Sequence, residues 1–191
     1  MPRLLLALAL ALLPACAAPP PRPAPPTDPG PLLPYDALPT HALWRQRVTL
    51  TWPDGQQAFD AALQRTPDAL TLVALSPLGP PAFVIRHDAH GVHITHHSDR
   101  ELPFAPGYII ADIQKALYPW LPPGTTHGTR HGLTITETRT ADRLTHRRID
   151  SPHHPEPITI TYTDPTITLH NGWLGYTLRV DTLEIIPLDP P

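Results

Sequence analysis

The chain has 191 residues, 17 acidic against 14 basic, and a formal charge of −3. That balance excludes the concentrated basic face that nucleic acid requires and argues equally against polybasic attachment to anionic lipid. A single cysteine excludes an intramolecular disulfide, so the fold must stand on its core. Arginine outnumbers lysine 13 to 1, and there are 29 prolines and 12 histidines. We read this skew as compositional bias, which lowers the weight that any one histidine or proline can bear.

Residues 1–15 read as a signal peptide: Arg3, then a stretch from Leu4 to Leu13 that is almost all Leu and Ala, then a small residue. About ten apolar residues are too few to span a bilayer, which needs roughly 20, and no later stretch reaches that length. The segment ends Leu13-Pro14-Ala15-Cys16, which resembles the bacterial lipobox. That resemblance implies cleavage before Cys16, diacylglyceration of its thiol and acylation of the new amine. Ala17 rather than Asp follows the anchor, which in the same resemblance implies passage to the outer membrane, with the chain on its periplasmic face. Residues 17–39 carry ten prolines and cannot build a helix or a central strand. They read as an extended spacer rising about 3.1 Å per residue. Residues 16–40 are therefore taken as anchor cysteine and tether, and residues 41–191 as one domain.

The domain reads as short strands between turn signals. Residues 44–52 alternate, with Val48, Leu50 and Trp52 on one face, and Pro53-Asp54-Gly55 turns. A second strand over 57–63 shares Phe59, Ala61 and Leu63, and Thr66-Pro67-Asp68 turns again. Runs at 70–75, 83–85 and 92–96 follow. Later runs lie at 133–138, 143–149, 158–162, 166–170 and 176–186, several with plain period-2 alternation. One segment breaks the pattern: over 108–118, Ile109, Ile110, Ile113 and Leu117 fall at helical spacing, with Gly107 before and Pro119 after. The expectation is a mainly β domain with one amphipathic helix covering a face or mouth of the sheet.

Signals for catalysis are weak. His87, His90, His93, His96 and His97 cluster around one hairpin, but alternation puts His93 and His97 on one face and His96 on the other. Zinc needs three or four convergent ligands, and no standard spacing is present. His153-His154 sits in a proline-rich stretch. No Gly-x-Ser-x-Gly elbow occurs around Ser76, Ser98 or Ser151, and nothing in the sequence marks Asp99 and Glu101 as a convergent acid–base pair. No enzyme activity, cofactor or metal is expected.

The break after the third strand reads Leu72-Val73-Ala74-Leu75-Ser76-Pro77-Leu78-Gly79-Pro80-Pro81. Here the chain resembles the outer-membrane lipoprotein receptor LolB and its relatives, which carry a Pro-Leu-Gly turn at this place. Ile167-Thr168-Leu169 with residues 176–180 is similar to that family's closing hairpin. Ile110-Ala111-Asp112-Ile113-Gln114 is similar to a helix in a family of uncharacterised bacterial lipoproteins, often encoded beside aryl-polyene or fatty-acid-type synthesis genes. The resemblance spans residues 43–186. It implies an incomplete, curved antiparallel β-barrel, LolA/LolB-like, with one internal covering helix and an apolar cavity for acyl chains. The single helix departs from LolB, which has several. Leu78, held between Pro77 and Gly79, matches the loop leucine that contacts the membrane. Leu70, Leu72, Phe83, Ile85, Ile109, Ile113 and Leu117 are the candidate cavity lining.

The favoured expectation is a non-enzymatic, outer-membrane-anchored lipoprotein that takes an acyl-type lipid or lipid-linked cargo, with a periplasmic carrier or transporter as a further partner. The rival is a structural lipoprotein with a filled core that docks an envelope partner. A zinc-binding envelope protein using the histidine hairpin is a weaker third.

Overall fold

The computed structural model describes residues 29–76, 79–97 and 107–188. Cys16, Pro77 and Leu78 lie outside the described residues. Eleven strands form one antiparallel sheet: β1 (Ala42–Trp52), β2 (Gly55–Thr66), β3 (Ala69–Leu75), β4 (Pro81–Asp88), β5 (Gly91–His96), β6 (His127–Arg130), β7 (Leu133–Thr140), β8 (Arg143–Ser151), β9 (His154–Thr163), β10 (Thr166–Asn171) and β11 (Tyr176–Pro187). One helix, α1 (Gly107–Leu117), lies between β5 and β6 in the chain. The expected class is what the described residues adopt: mainly β, one curved, unclosed antiparallel sheet with a single helix. Strand β6, short and without an alternating apolar face, was not legible in the sequence.

The strand order is β5-β4-β3-β2-β1-β11-β10-β9-β8-β7-β6. Two meanders, β1 to β5 and β6 to β11, run outward from the long β1·β11 pair. There Val48 faces Val180 and Leu50 faces Leu178. The two edges, β5 and β6, are consecutive in sequence, so the chain between them must pass from edge to edge. That connection carries α1, which is why a helix occupies the hollow of an open sheet. Register shifts at Arg45/Gln46, Ala74/Leu75, Thr138/Arg139 and Ile149/Ser151 bend the strands they interrupt. Alternation puts Leu63, Leu70, Ile85, Ile135, Ile149 and Ile160 on the inner face, each at most 1% exposed. The β7–β8 turn holds Ala141 and Asp142 at φ 48° and 63°, the two positive angles of a tight two-residue hairpin.

The tether expectation is corrected from Pro29 onward. Residues 29–40 do not stand off from the domain. Leu33 and Leu38 are buried, and Tyr35–Ala37 forms a single 3-10 turn. Proline forbids a helix but leaves an extended segment free to pack, and two leucines give it something to bury. The segment is fastened by Gln114, whose Oε1 accepts from Leu33 N and whose Nε2 donates to Leu33 O, both at 2.7 Å. Tyr118 OH donates to Tyr35 O at 2.9 Å. The segment closes the end of the sheet hollow where Arg65, Leu70 and His87 stand side by side across β2, β3 and β4.

Gln114→Leu removes both bonds and leaves a buried N–H and C=O without partners. We expect a loss of about 2–4 kcal/mol in urea denaturation. Protease cleavage within residues 29–40 should also become faster, and protection equal to wild type would show that the leucines alone hold the segment.

Candidate functional site

Helix α1 presents three faces at 100° per residue. Tyr118, Gln114 and Ala111 turn toward the 29–40 segment. Tyr108 and Lys115 form a second face. Ile109, Ile113, Ala116 and Leu117 form a third, and these four are only half-buried, while Asp112, Gln114 and Lys115 are 0–3% exposed. The helix thus buries its charged residues along with Tyr108, Ile110 and Ala111, while this apolar stripe packs only in part against the core.

Asp112, Gln114 and the last carbonyls of the helix all find partners. Asp112 accepts from Tyr176 OH in a short bond and from Asn171 Nδ2 at 3.2 Å, and Asn171 Oδ1 accepts from Leu174 N at 3.1 Å. Burial, with the Asp112 charge adding to it, pushes the Tyr176 phenol well above its ordinary value, so it stays a donor. At the helix C-terminus the last carbonyls accept from side chains. Arg147 Nη1 donates to Lys115 O in a short bond, Tyr162 OH to Ala116 O at 2.8 Å, and Trp120 Nε1 to Gln114 O at 2.8 Å. Glu137 pairs with Arg147 through two bonds of 2.9 and 2.7 Å to one oxygen and with Arg139 through the other at 2.7 Å. Burial moves the Tyr162 phenol up to about 12.

The apolar stripe of α1 faces a cavity of about 260 Å³. Phe59 and Phe83 meet edge to face on its wall, ring centroids 6.4 Å apart. Val48, Leu50, Leu178 and Val180 of the central β1·β11 pair line it as well, with Gln46, Gln57, Asp112 and Tyr176 as its polar points. Of the seven expected lining residues, Leu72, Phe83, Ile109, Ile113 and Leu117 line the cavity. Leu70 and Ile85 are 0% exposed and belong to the packed core instead. The register explains the split. Leu70 pairs with His87 and Leu72 with Ile85, while Ala74 pairs with Phe83 nearer the loop. The cavity therefore lies at the loop end of these strands, with Leu75, Ser76 and Ala82 among its walls.

That loop is the Pro77-Leu78-Gly79 turn. Its base is closed by Gly79 N donating to Ser76 O at 2.9 Å and Ser76 N to Pro80 O at 2.8 Å. Gly79 has φ +98°, which glycine adopts without a Cβ penalty. The contribution of the central strands was missed because their alternation marks a buried face without distinguishing packed core from cavity wall.

The hairpin histidines do not act together. His87 is buried, with Tyr35 edge-on at 6.2 Å and Gln114 Nε2 3.4 Å from its Nδ1, whereas His90, His93, His96 and His97 are exposed. Among the described residues no group of three or more His, Cys, Asp or Glu is placed to hold a metal. No helix among them is long and apolar enough to cross a membrane.

Residues 43–184 match the model of the family described as "Protein of unknown function (DUF3261)". The chain belongs to this family. No curated protein matches this member in sequence. In structure it is similar to a LolA superfamily protein from Nitrosomonas europaea, at 12% identity and a TM-score of 0.49 over 84% of this chain and 90% of that one. It is also similar to a domain described as an outer membrane lipoprotein-sorting protein from Vibrio parahaemolyticus, at 8% identity and a TM-score of 0.39 over 76% and 84%.

Burial holds His87 below its ordinary 6.5, although Asp88 acts the other way. The unfolded chain therefore takes up this proton first, and stability is lost as pH falls below about 6.5. The carboxylates held low, Asp60, Asp88 and Asp181, lose their contribution only below about pH 4. Melting temperature should fall between pH 7 and 5, and His87→Asn should flatten that fall. An unchanged slope in the variant would assign it to other groups.

Proposed function

We propose that this protein is an envelope lipoprotein, anchored through Cys16, that binds an acyl-type chain in the α1 cavity and helps deliver it to the outer membrane without catalysing a reaction. One observation carries the reading: the helix buries its charges and turns Ile109, Ile113 and Leu117, half-buried, into an apolar hollow. A stripe left in that state gains free energy only when an apolar ligand covers it, by about 0.8 kcal/mol per methylene. The volume is near the lower end of the roughly 300–1,000 Å³ typical of small-molecule pockets, which suits one chain rather than several. The far end of the hollow is shut by the 29–40 segment, so cargo enters from the side of the 76–79 turn. Leu78 in that turn is the membrane-contact residue of this proposal, and residues 16–28 are what is left of the tether.

A rival reading has its own observation. Leu183 and Ile185, at 62% and 56% exposed, stand on β11 and offer a docking patch to an envelope partner.

Two experiments decide. Ala116→Phe places a ring in the cavity from the helix side. It should weaken binding of a fluorescent fatty acid by about tenfold, the equivalent of roughly two methylenes of contact, with melting temperature retained. Unchanged affinity would move the ligand out of this cavity and favour the docking reading. Leu78→Glu should keep both fold and affinity yet lose transfer of the bound probe to lipid vesicles in a fluorescence transfer assay, and wild-type transfer would take Leu78 out of the mechanism.

A further inference from the structure

Lys115 is the only lysine of the chain, and it is 3% exposed. An ammonium has three hydrogens to place. Among the described residues one acceptor is within reach, Asp112 Oδ1 at 3.5 Å, longer than the roughly 2.7–2.9 Å of a charge-assisted bond. Asp112 is already held by Tyr176 and Asn171. The Trp173 ring lies 5.2 Å from Lys115 Nζ, a cation–π contact that uses the charge and none of the hydrogens.

Trp173 supplies a second donor of the same kind. Its Nε1 is buried and has no hydrogen-bond partner among the described residues. The other end of the site is imidazole: His154 stacks on the Trp173 ring at 4.7 Å between centroids and 11° between planes. Lys115, Trp173, His154, His131 and His153 all line one cavity of about 330 Å³, bordered on its helix side by Tyr108. This cavity is distinct from the apolar one and lies on the adjacent face of α1. Its principal buried groups are donors and a cation, and buried donors are ordinarily matched by acceptors. Burial also lowers the Lys115 ammonium below its ordinary value, Asp112 opposing this only in part, so a second negative partner would hold its charge in place.

We propose that this second cavity binds an oxyanion, a carboxylate or a phosphate, held between Lys115 Nζ and Trp173 Nε1 with His154 and His131 at its border. The site rests on donors and their burial, and it stands whether or not the apolar cavity takes a lipid. The shared chemistry has two sources, a free anion or the head of an amphiphile, and the probes below separate them.

The test reads the indole N–H resonance of Trp173 in the full chain by ¹H–¹⁵N correlation at pH 7, its peak identified among those of the four tryptophans by its loss in Trp173→Phe. The probes are inorganic phosphate and laurate. A saturable downfield shift with phosphate, confined to Trp173, supports the site with a free anion as ligand. A shift with laurate alone supports it with an amphiphile head as ligand. Lys115→Met should weaken either response by at least about tenfold. The absence of a Trp173 response to both probes overturns the proposal, and that wild-type result does not depend on any variant folding. A response undiminished in a folded Lys115→Met protein overturns it as well, since the histidines alone would then hold the anion.

Discussion

Everything distinctive about this protein depends on how helix α1 satisfies its polar groups. The helix sits where water is excluded, yet it carries Asp112, Gln114 and Lys115 into that space. A buried polar group without partners costs about 1–3 kcal/mol and a buried charge more; the surroundings answer Asp112 and Gln114 fully and Lys115 only in part. Tyr176 and Asn171 answer Asp112, the Leu33 backbone answers Gln114, and Arg147, Tyr162 and Trp120 answer the last carbonyls. Arg147 is buried in turn and is neutralised by Glu137. Polar contacts therefore fix where the helix lies and how it is rotated, and its apolar stripe is left over to face the cavity.

The topology makes this arrangement possible. Two meanders spreading from β1·β11 leave the sheet open between β5 and β6, and the chain joining those edges has to cross the hollow. A closed barrel of the same strands would need no such crossing and would fill its interior with side chains. The opening in turn requires covers. α1 is one and the docked 29–40 segment is another, each attached to the other through Gln114 and Tyr118. Cavity, loop turn and N-terminal segment are thus mechanically related: the segment shuts one end of the hollow, and the 76–79 turn borders the other.

Much of the architecture was legible in the sequence. Residues 158–162 and 176–186 alternate because one side of an antiparallel strand faces a core, and the pattern is local enough to read directly. Ile109, Ile113 and Leu117 announce a helix for the same reason. Strand β6 escaped because His127-Gly128-Thr129-Arg130 has no apolar face, and pairing with β7 alone makes it a strand. The docking of residues 29–40 escaped because proline content reports what backbone cannot form, and says nothing of where Leu33 and Leu38 will be buried. Leu70 and Ile85 were grouped with Leu72 and Phe83 because all four share one face, and that face contains both packed core and cavity wall.

By itself, the sequence determined a mainly β chain with one helix, a lipobox-like cysteine at Cys16 and a glycine-closed turn after Leu78, since periodicity and turn chemistry act over a few residues. Only the tertiary structure decided which face of α1 is free, which strands wall the cavity, and that Lys115 and Trp173 share a second one. Those outcomes hang on partners such as Leu33 and Gln114, 81 residues apart. The choice between burying a charge and burying an isoleucine depends on whether such a partner arrives, and no local pattern encodes its arrival.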